Sequence, residues 1–392
     1  MEHYDFDTVI DRTGSGDLMH GALLPRWGRD DLLPMWVADM DFPVCPDIID
    51  AIRKRLDHPI LGYTVEPEDY FPAIHDWIAD HQGWDIRREW LSFVPGIVKG
   101  IGLVSNLFVK PEEKVIVMPP VYHPFFLTPQ ANGREVVWCP MREDTPGDYS
   151  IDWDKLAEVC DDKCRLFILC NPHNPVGICW SGDTLKRLAD FCYDHHLLVI
   201  SDEIHCDMPL FGHKHIPFAS VSDKAAQISI TFQAPTKTFN IAGVVSSHAI
   251  VPNPDIRKKF YGWLQANELN EPHIFAPIAT IAAYRKGEEW RKQMLHYVEQ
   301  NVLFVEDFCK KYIPKIHPVR PQASFLIWLD CRELHLNHQQ LLDLFIDKAH
   351  LALNDGEMFG PGGEGHMRLN VGEPRSVVEQ GLKQLAEAVA QL

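Results

Sequence analysis

One alternation constrains this chain more than any other feature: short apolar runs at residues 115–118, 166–169, 197–200 and 228–230 stand between stretches of helical spacing. Apolar runs this short read as strands buried at the centre of a sheet. Strand, helix, strand is the crossover unit of a largely parallel sheet, and its hand is right-handed almost without exception. The 182–195 stretch shows the helical half of the pattern, with Leu185, Leu188, Phe191 and Cys192 on one face. Ile48, Ile49, Ile52 and Leu56 recur in the same way behind Pro46, a residue suited to a first helical turn. These spacings predict an α/β fold, with a large domain over 46–285 whose mostly parallel central sheet is flanked by helices.

After about Ala283 the pattern changes. A long helical stretch through Tyr312, the apolar run 325–329, another helix, Met367-Arg-Leu-Asn370 and a final helix predict a smaller α+β domain. It spans 286–392 and is completed by the N-terminal segment 1–45. The glycine-rich stretch 356–365, with Pro361 inside it, reads as a mobile loop, either a plain surface turn or a lid.

Charge narrows the functions open to such a fold. Lys plus Arg is 37 and Asp plus Glu is 55, a net charge of -18. A surface this acidic repels phosphate backbones and anionic lipid, so neither nucleic acid nor membrane is an expected partner. The opening Met1-Glu-His-Tyr-Asp-Phe-Asp7 has neither the basic flank nor the apolar stretch of a secretory signal, and no apolar run approaches a membrane span, so a cytoplasmic protein is expected. The ten cysteines contain no CxxC pair and read as reduced thiols. His213-Lys-His215 lacks companion ligands and reads as ordinary histidines; no metal is expected. No G-x-G-x-x-G opens a helix after a strand, which argues against a nicotinamide dehydrogenase.

In open α/β sheets ligands collect outside the carboxyl ends of the strands, so the post-strand loops carry the chemistry. After 166–169 comes Cys170-Asn-Pro-His-Asn-Pro-Val-Gly177, a rigid polar turn that holds Asn174 ready to donate to a ligand oxygen. After 197–200 comes Ser201-Asp-Glu-Ile-His205, an acid and an imidazole. After 228–232 comes Ala234-Pro-Thr-Lys-Thr-Phe-Asn-Ile-Ala-Gly243, which sets Lys237 among small and apolar neighbours. Singly, Asn174 is a turn former, Asp202 a cap and Lys237 a solvated charge. Together, an amide donor, a carboxylate and a lysine on consecutive strand ends are what a pyridoxal phosphate site requires.

Those three loops resemble the fold-type I pyridoxal-phosphate enzymes related to class I and II aminotransferases. Pro34-Met-Trp-Val-Ala-Asp-Met-Asp-Phe42, Gly62-Tyr-Thr64, Val94-Pro-Gly-Ile-Val98 and Pro119-Pro-Val-Tyr-His-Pro124 narrow the resemblance to the cystathionine β-lyase and carbon-sulfur lyase branch, which includes the maltose-regulon modulator. The match runs from about Tyr4 to the last helix and implies an aspartate-aminotransferase-like fold.

The resemblance implies that Lys237 is the catalytic lysine that attaches the cofactor and moves the α-proton, and that Asp202 keeps the ring nitrogen protonated. It further implies that Asn174 and His205 contact the ring's phenolic oxygen and that Tyr122 stacks on the ring. The amides of Ile97 and Val98, opening a helix after Gly96, suit the cofactor phosphate because a helix start presents free N–H groups to an anion. Thr236 adds a hydroxyl there, and Tyr63 reaches the phosphate of a neighbouring subunit, which implies a homodimer. Arg368 corresponds to the arginine that holds the substrate α-carboxylate through a two-pronged hydrogen-bonded pair. Trp36 and the Ala38 backbone line the substrate pocket, unless Trp36 is simply core.

Three positions depart from the relatives. Ala234 stands where a phosphate-binding serine is common, Val245 where aminotransferases carry an arginine for the phosphate, and Glu373 either alters substrate choice or caps the last helix. The expected activity is β-elimination of cystathionine or related cysteine S-conjugates to thiol, pyruvate and ammonia. An aminotransferase of the same fold is the alternative, and a cofactor-bound regulatory binding protein is an alternative of another class.

Overall fold

The central sheet has seven strands in the order β1-β7-β6-β5-β4-β2-β3, where β1 is Leu91–Val94, β2 Lys114–Val117, β3 Glu135–Trp138, β4 Cys164–Cys170, β5 Leu198–Asp202, β6 Ser229–Gln233 and β7 Ser247–Ile250. The computed structural model describes residues 3–392. Strands β2 to β6 pair in parallel, and β7 runs antiparallel to both β6 and β1. The expected mostly parallel sheet is therefore present, with one reversed strand. Its interior strands are buried along nearly their whole length, which explains the uninterrupted apolar runs in the sequence.

Reversal of β7 has a consequence for function. The carboxyl ends of β1, β4, β5 and β6 and the start of β7 all meet at one edge of the sheet. Cys170 is in register with Asp202, Asp202 with Phe232, and Ser247 with Val94.

A second, four-stranded antiparallel sheet has the order β8-β9-β11-β10, with β8 His317–Val319, β9 Leu326–Asp330, β10 Asn354–Asp355 and β11 His366–Asn370. Leu33–Pro34 pairs in parallel with Leu351–Ala352, tying the N-terminal segment to the C-terminal part of the chain.

Two local features differ from expectation. The helical stretch toward Tyr312 is two helices, Phe275–Lys286 and Glu288–Tyr312, that meet at Gly287. A Cβ at Gly287 would collide with the Phe239 ring and the Ala283 carbonyl, so only glycine lets the chain turn over that buried ring. The 356–365 stretch is anchored, not loose. Phe359 is fully buried, and its carbonyl accepts a 2.9 Å hydrogen bond from Val121 N–H. One aromatic side chain in the core outweighs the surrounding glycines.

Candidate active site

The strand-end edge opens onto a cavity of about 290 Å³. Asn174, Asp202, His205, Thr236 and Lys237 line it, with Tyr122, Ala38, Ile97 and Val98 from other segments. Lys237 and Asp202 therefore face one space.

Each polar group is held by identifiable contacts. Lys237 Nζ donates to the Ala38 carbonyl at 2.5 Å and lies 3.8 Å from an Asp39 oxygen. Burial pulls its ammonium below the usual lysine range; Asp39 and Asp202 oppose that, while the Arg368 charge adds to it. Burial also pushes the Asp202 carboxyl up to about 7, against the 3.1 Å hydrogen bond it accepts from Ile204 N–H. His205 is pushed down to about 3, by burial first and then by the Lys237 and Arg368 charges, so its ring is neutral. Its Nδ1 is buried without a partner.

Asn174 and Arg368 are coupled. Arg368 Nη1 donates to Asn174 Oδ1 at 3.0 Å and Nη2 to the Trp36 carbonyl at 3.0 Å, while Nε is buried without a partner. With its amide turned so that the oxygen faces Arg368, Asn354 also accepts from Nη2 at 3.1 Å. Asn174 thus spends its oxygen on the guanidinium, leaving its amide hydrogens for a ligand. Arg368 reaches the site through Asn174 and is not among the residues that line the cavity. Trp36 does not line it either: the indole is buried, its Nε1 donates to the Met19 carbonyl at 3.0 Å, and the residue serves the site through its backbone oxygen. Tyr63 does not line the cavity and is fully exposed on the single chain.

The helix Ile97–Phe108 begins at the cavity wall. Its N-cap Gly96 has φ 116°, a conformation that favours glycine. Gly96 N–H donates to Ser247 Oγ at 3.0 Å, and Ser247 Oγ donates to the Val94 carbonyl at 2.8 Å, which fixes the turn against β7. The first-turn amides of a helix have no partner within it, so this end offers N–H groups to an anion.

Behind Asp202, the fully buried Glu203 carboxylate knits three strand ends together. It accepts from Ser201 Oγ at 2.8 Å, Gln233 Nε2 at 2.9 Å, His215 Nε2 at 3.0 Å and Phe218 N–H at 2.9 Å, with Asn171 Nδ2 at 3.5 Å. Replacing His215 by alanine leaves a charged buried acceptor short of one donor. Urea unfolding should show a loss of about 2 to 3 kcal/mol, whereas an unchanged midpoint would mean that His215 contributes no hydrogen bond of weight.

Lys99, Ile204, Ser246 and Ser247 also line the cavity, and sequence reasoning missed them. The serines carry no periodic or motif signal. Lys99 did carry one, since a cation in a helix's first turn opposes the macrodipole and asks for a local anion. Val245 lines the cavity and Ala234 is buried outside it. Glu373 does not cap the last helix, Arg375–Val389: the N-cap residue is Pro374, and neither Glu373 carboxyl oxygen accepts a hydrogen bond. Glu373 is instead fully buried near Asp41, and burial raises its carboxyl well above the usual range.

The donor set fits a pyridoxal phosphate: an amine with a lowered pKa, an acid whose burial asks for a nearby cation, an unpartnered neutral imidazole and a helix start. Comparisons with known proteins agree. The family model "Aminotransferase class I and II" matches residues 31–385. "Cystathionine beta-lyase PatB" of Bacillus subtilis is 41% identical, covering 98% of this chain and 100% of its own. "Protein MalY" of Escherichia coli is 32% identical, covering 98% and 99%. The solved structure of a PLP-bound C-S lyase from Staphylococcus hominis superposes with a TM-score of 0.91 at 33% identity, over 99% of this chain and 98% of that one. The chain belongs to the class I and II aminotransferase family.

Proposed function

We propose that this protein is a pyridoxal-phosphate-dependent carbon-sulfur lyase that cleaves cystathionine or related cysteine S-conjugates by β-elimination. The observation that carries the reading is the shared cavity of Lys237, Asp202 and Asn174, in a chain 41% identical to a cystathionine β-lyase. Residues 46–285 form the unit that holds the cofactor, and 1–45 with 286–392 the smaller unit that carries Arg368. When bound, the cofactor supplies an electron sink for charge developing at the substrate α-carbon.

The protein's residues do the rest. Lys237 would hold the cofactor through Nζ and would take the substrate α-proton at that atom; burial keeps the nitrogen available as a base. Asp202 would keep the ring nitrogen protonated, Asn174 and His205 would meet the ring oxygen, and Tyr122 would stack on the ring, all four lining the one cavity. Arg368, whose Nε has no partner and whose Nη1 meets Asn174, would hold the substrate α-carboxylate beside Asn174, with Ala38 in the cavity wall. Ile97, Val98 and Thr236 hold the phosphate. Loss of the β-thiolate then leaves a three-carbon fragment that hydrolyses to pyruvate and ammonia.

The reading extends to a homodimer. Tyr63 lies in an exposed segment with Ile60, Leu61 and Val65, all exposed large apolar residues. Such a patch marks an interface, and a second copy covering it brings Tyr63 to the neighbour's phosphate. Among the described residues no helix is long and apolar enough to cross a membrane.

The decisive assay supplies cystathionine without added keto acid. Many turnovers of thiol and pyruvate support the lyase, whereas a single equivalent per site of the substrate's own keto acid, with no thiol released, would make the protein an aminotransferase. Arg368→Lys keeps the charge but loses the planar fork. It should raise KM for the amino-acid substrate about ten- to one-hundredfold, with a smaller change in kcat. An unchanged KM would remove Arg368 from substrate binding.

A further inference from the structure

The cavity contains a second lysine, Lys99, at the helix start proposed above for the cofactor phosphate. Where aminotransferases carry an arginine for the phosphate this chain has Val245, an apolar residue that lines the same cavity. A phosphate monoester carries about 1.5 to 2 negative charges at neutral pH. A helix start offers only about half a positive charge to meet them.

Lys99 lies in the first turn of Ile97–Phe108 and lines the cavity. Helical side chains lean toward the helix N-terminus. Lys99 does so here: its Cδ is 3.8 Å from where a Cβ on Gly96 would sit, so the alkyl chain runs back over the turn that presents the free amides. No salt bridge among the described residues joins Lys99 to an acid, in a chain with 55 acidic residues. Among the residues lining the cavity, the remaining lysine is Lys237, which the proposed chemistry needs for itself.

We propose that Lys99 is the cationic ligand of the cofactor phosphate, taking over the charge that Val245 does not provide. The proposal rests on the pyridoxal-phosphate reading above and names a binding residue within it. It also explains why a lysine occupies a helix position where the macrodipole disfavours one, because the anion reverses the local balance.

The dissociation constant for pyridoxal phosphate, measured by absorbance and ultrafiltration on the full chain, tests it. Lys99→Met should weaken binding about ten- to one-hundredfold, the value of a hydrogen bond to a charged group. Lys99→Arg should stay within a few-fold of the parent. Pyridoxal without the phosphate should bind parent and Lys99→Met alike, and inorganic phosphate should compete with the cofactor more weakly in Lys99→Met. Because the side chain is exposed on a helix surface, the fold should survive both changes, which circular dichroism checks. Equal pyridoxal phosphate affinity in parent and Lys99→Met, or equal weakening of pyridoxal and its phosphate, overturns the proposal. A parent that binds no pyridoxal phosphate at all overturns the wider reading as well, so the two failures are distinct.

Discussion

Lys237→Ala should abolish catalytic release of thiol and pyruvate, lowering turnover at least about ten-thousand-fold. The same variant should lose the visible absorbance that comes from joining the lysine nitrogen to the cofactor aldehyde. Both effects follow from one nitrogen having two roles, attachment and proton transfer. Of the two lysines that line the cavity, Lys99 sits at the start of the helix Ile97–Phe108, so Lys237 Nζ, beside the Ala38 carbonyl and Asp39, is the nitrogen placed for proton transfer. Lys237→Arg separates these roles from mere charge, since arginine keeps the cation but is too basic to exchange a proton near neutrality; it should be as inactive as alanine. Turnover and colour retained in either variant would remove Lys237 from the chemistry.

How much of this could be read from residues alone depended on the kind of signal each carried. Asn174, Asp202 and Lys237 stand just beyond or at the ends of consecutive apolar runs, so a one-dimensional pattern already placed them at one sheet edge, and they line one cavity. That works because a parallel sheet turns order along the chain into adjacency in space. Other contacts are made across long sequence separations. The Arg368 guanidinium reaches Asn174 and the Trp36 carbonyl, and Asn370 Nδ2 donates to the Val37 carbonyl at 2.8 Å and the Asp39 carbonyl at 2.6 Å. These contacts depend on how the small sheet sits against the N-terminal segment, which no local spacing encodes. Trp36, read as either a pocket wall or core, is buried and contributes a backbone oxygen, a role independent of its side-chain identity.

The misread segments share one cause. Glycine content made 356–365 look loose, yet Phe359 fixes it; helical periodicity ran through Gly287, yet the packing of Phe239 bends the chain there. In both places a tertiary contact with one aromatic ring overrode a propensity summed over neighbours. Glu373, read as either altering substrate choice or capping the last helix, does not cap it. An acid just before a helix normally caps it, but here the neighbouring proline takes the N-cap position and the carboxyl turns into the interior.

Asp202→Asn should produce two opposite effects, and their combination identifies the residue's role. Turnover should fall by about 10² to 10³, the usual loss when a charge that stabilises the reacting system is removed. Stability of the cofactor-stripped protein should rise. Folding moves this carboxyl from 3.8 to about 7 through burial, so the folded state binds more protons than the unfolded state between those values. An acid raised in this way costs nothing below about pH 4. The cost grows as pH climbs toward about 7 and is constant above, reaching at most about 4 kcal/mol. Asparagine carries no charge to desolvate, so the urea midpoint of the stripped variant should exceed the parent's at about pH 7.5 and match it at about pH 4. Added pyridoxal phosphate should reverse the order, because a protonated ring nitrogen offsets the burial of the parent's carboxylate and has no anion to meet in the variant. A larger cofactor-induced thermal shift in the parent is therefore expected. Equal shifts in the two proteins would mean that Asp202 is a buried acid unconnected with the ring, and the assignment of the electron sink would have to move elsewhere in the cavity.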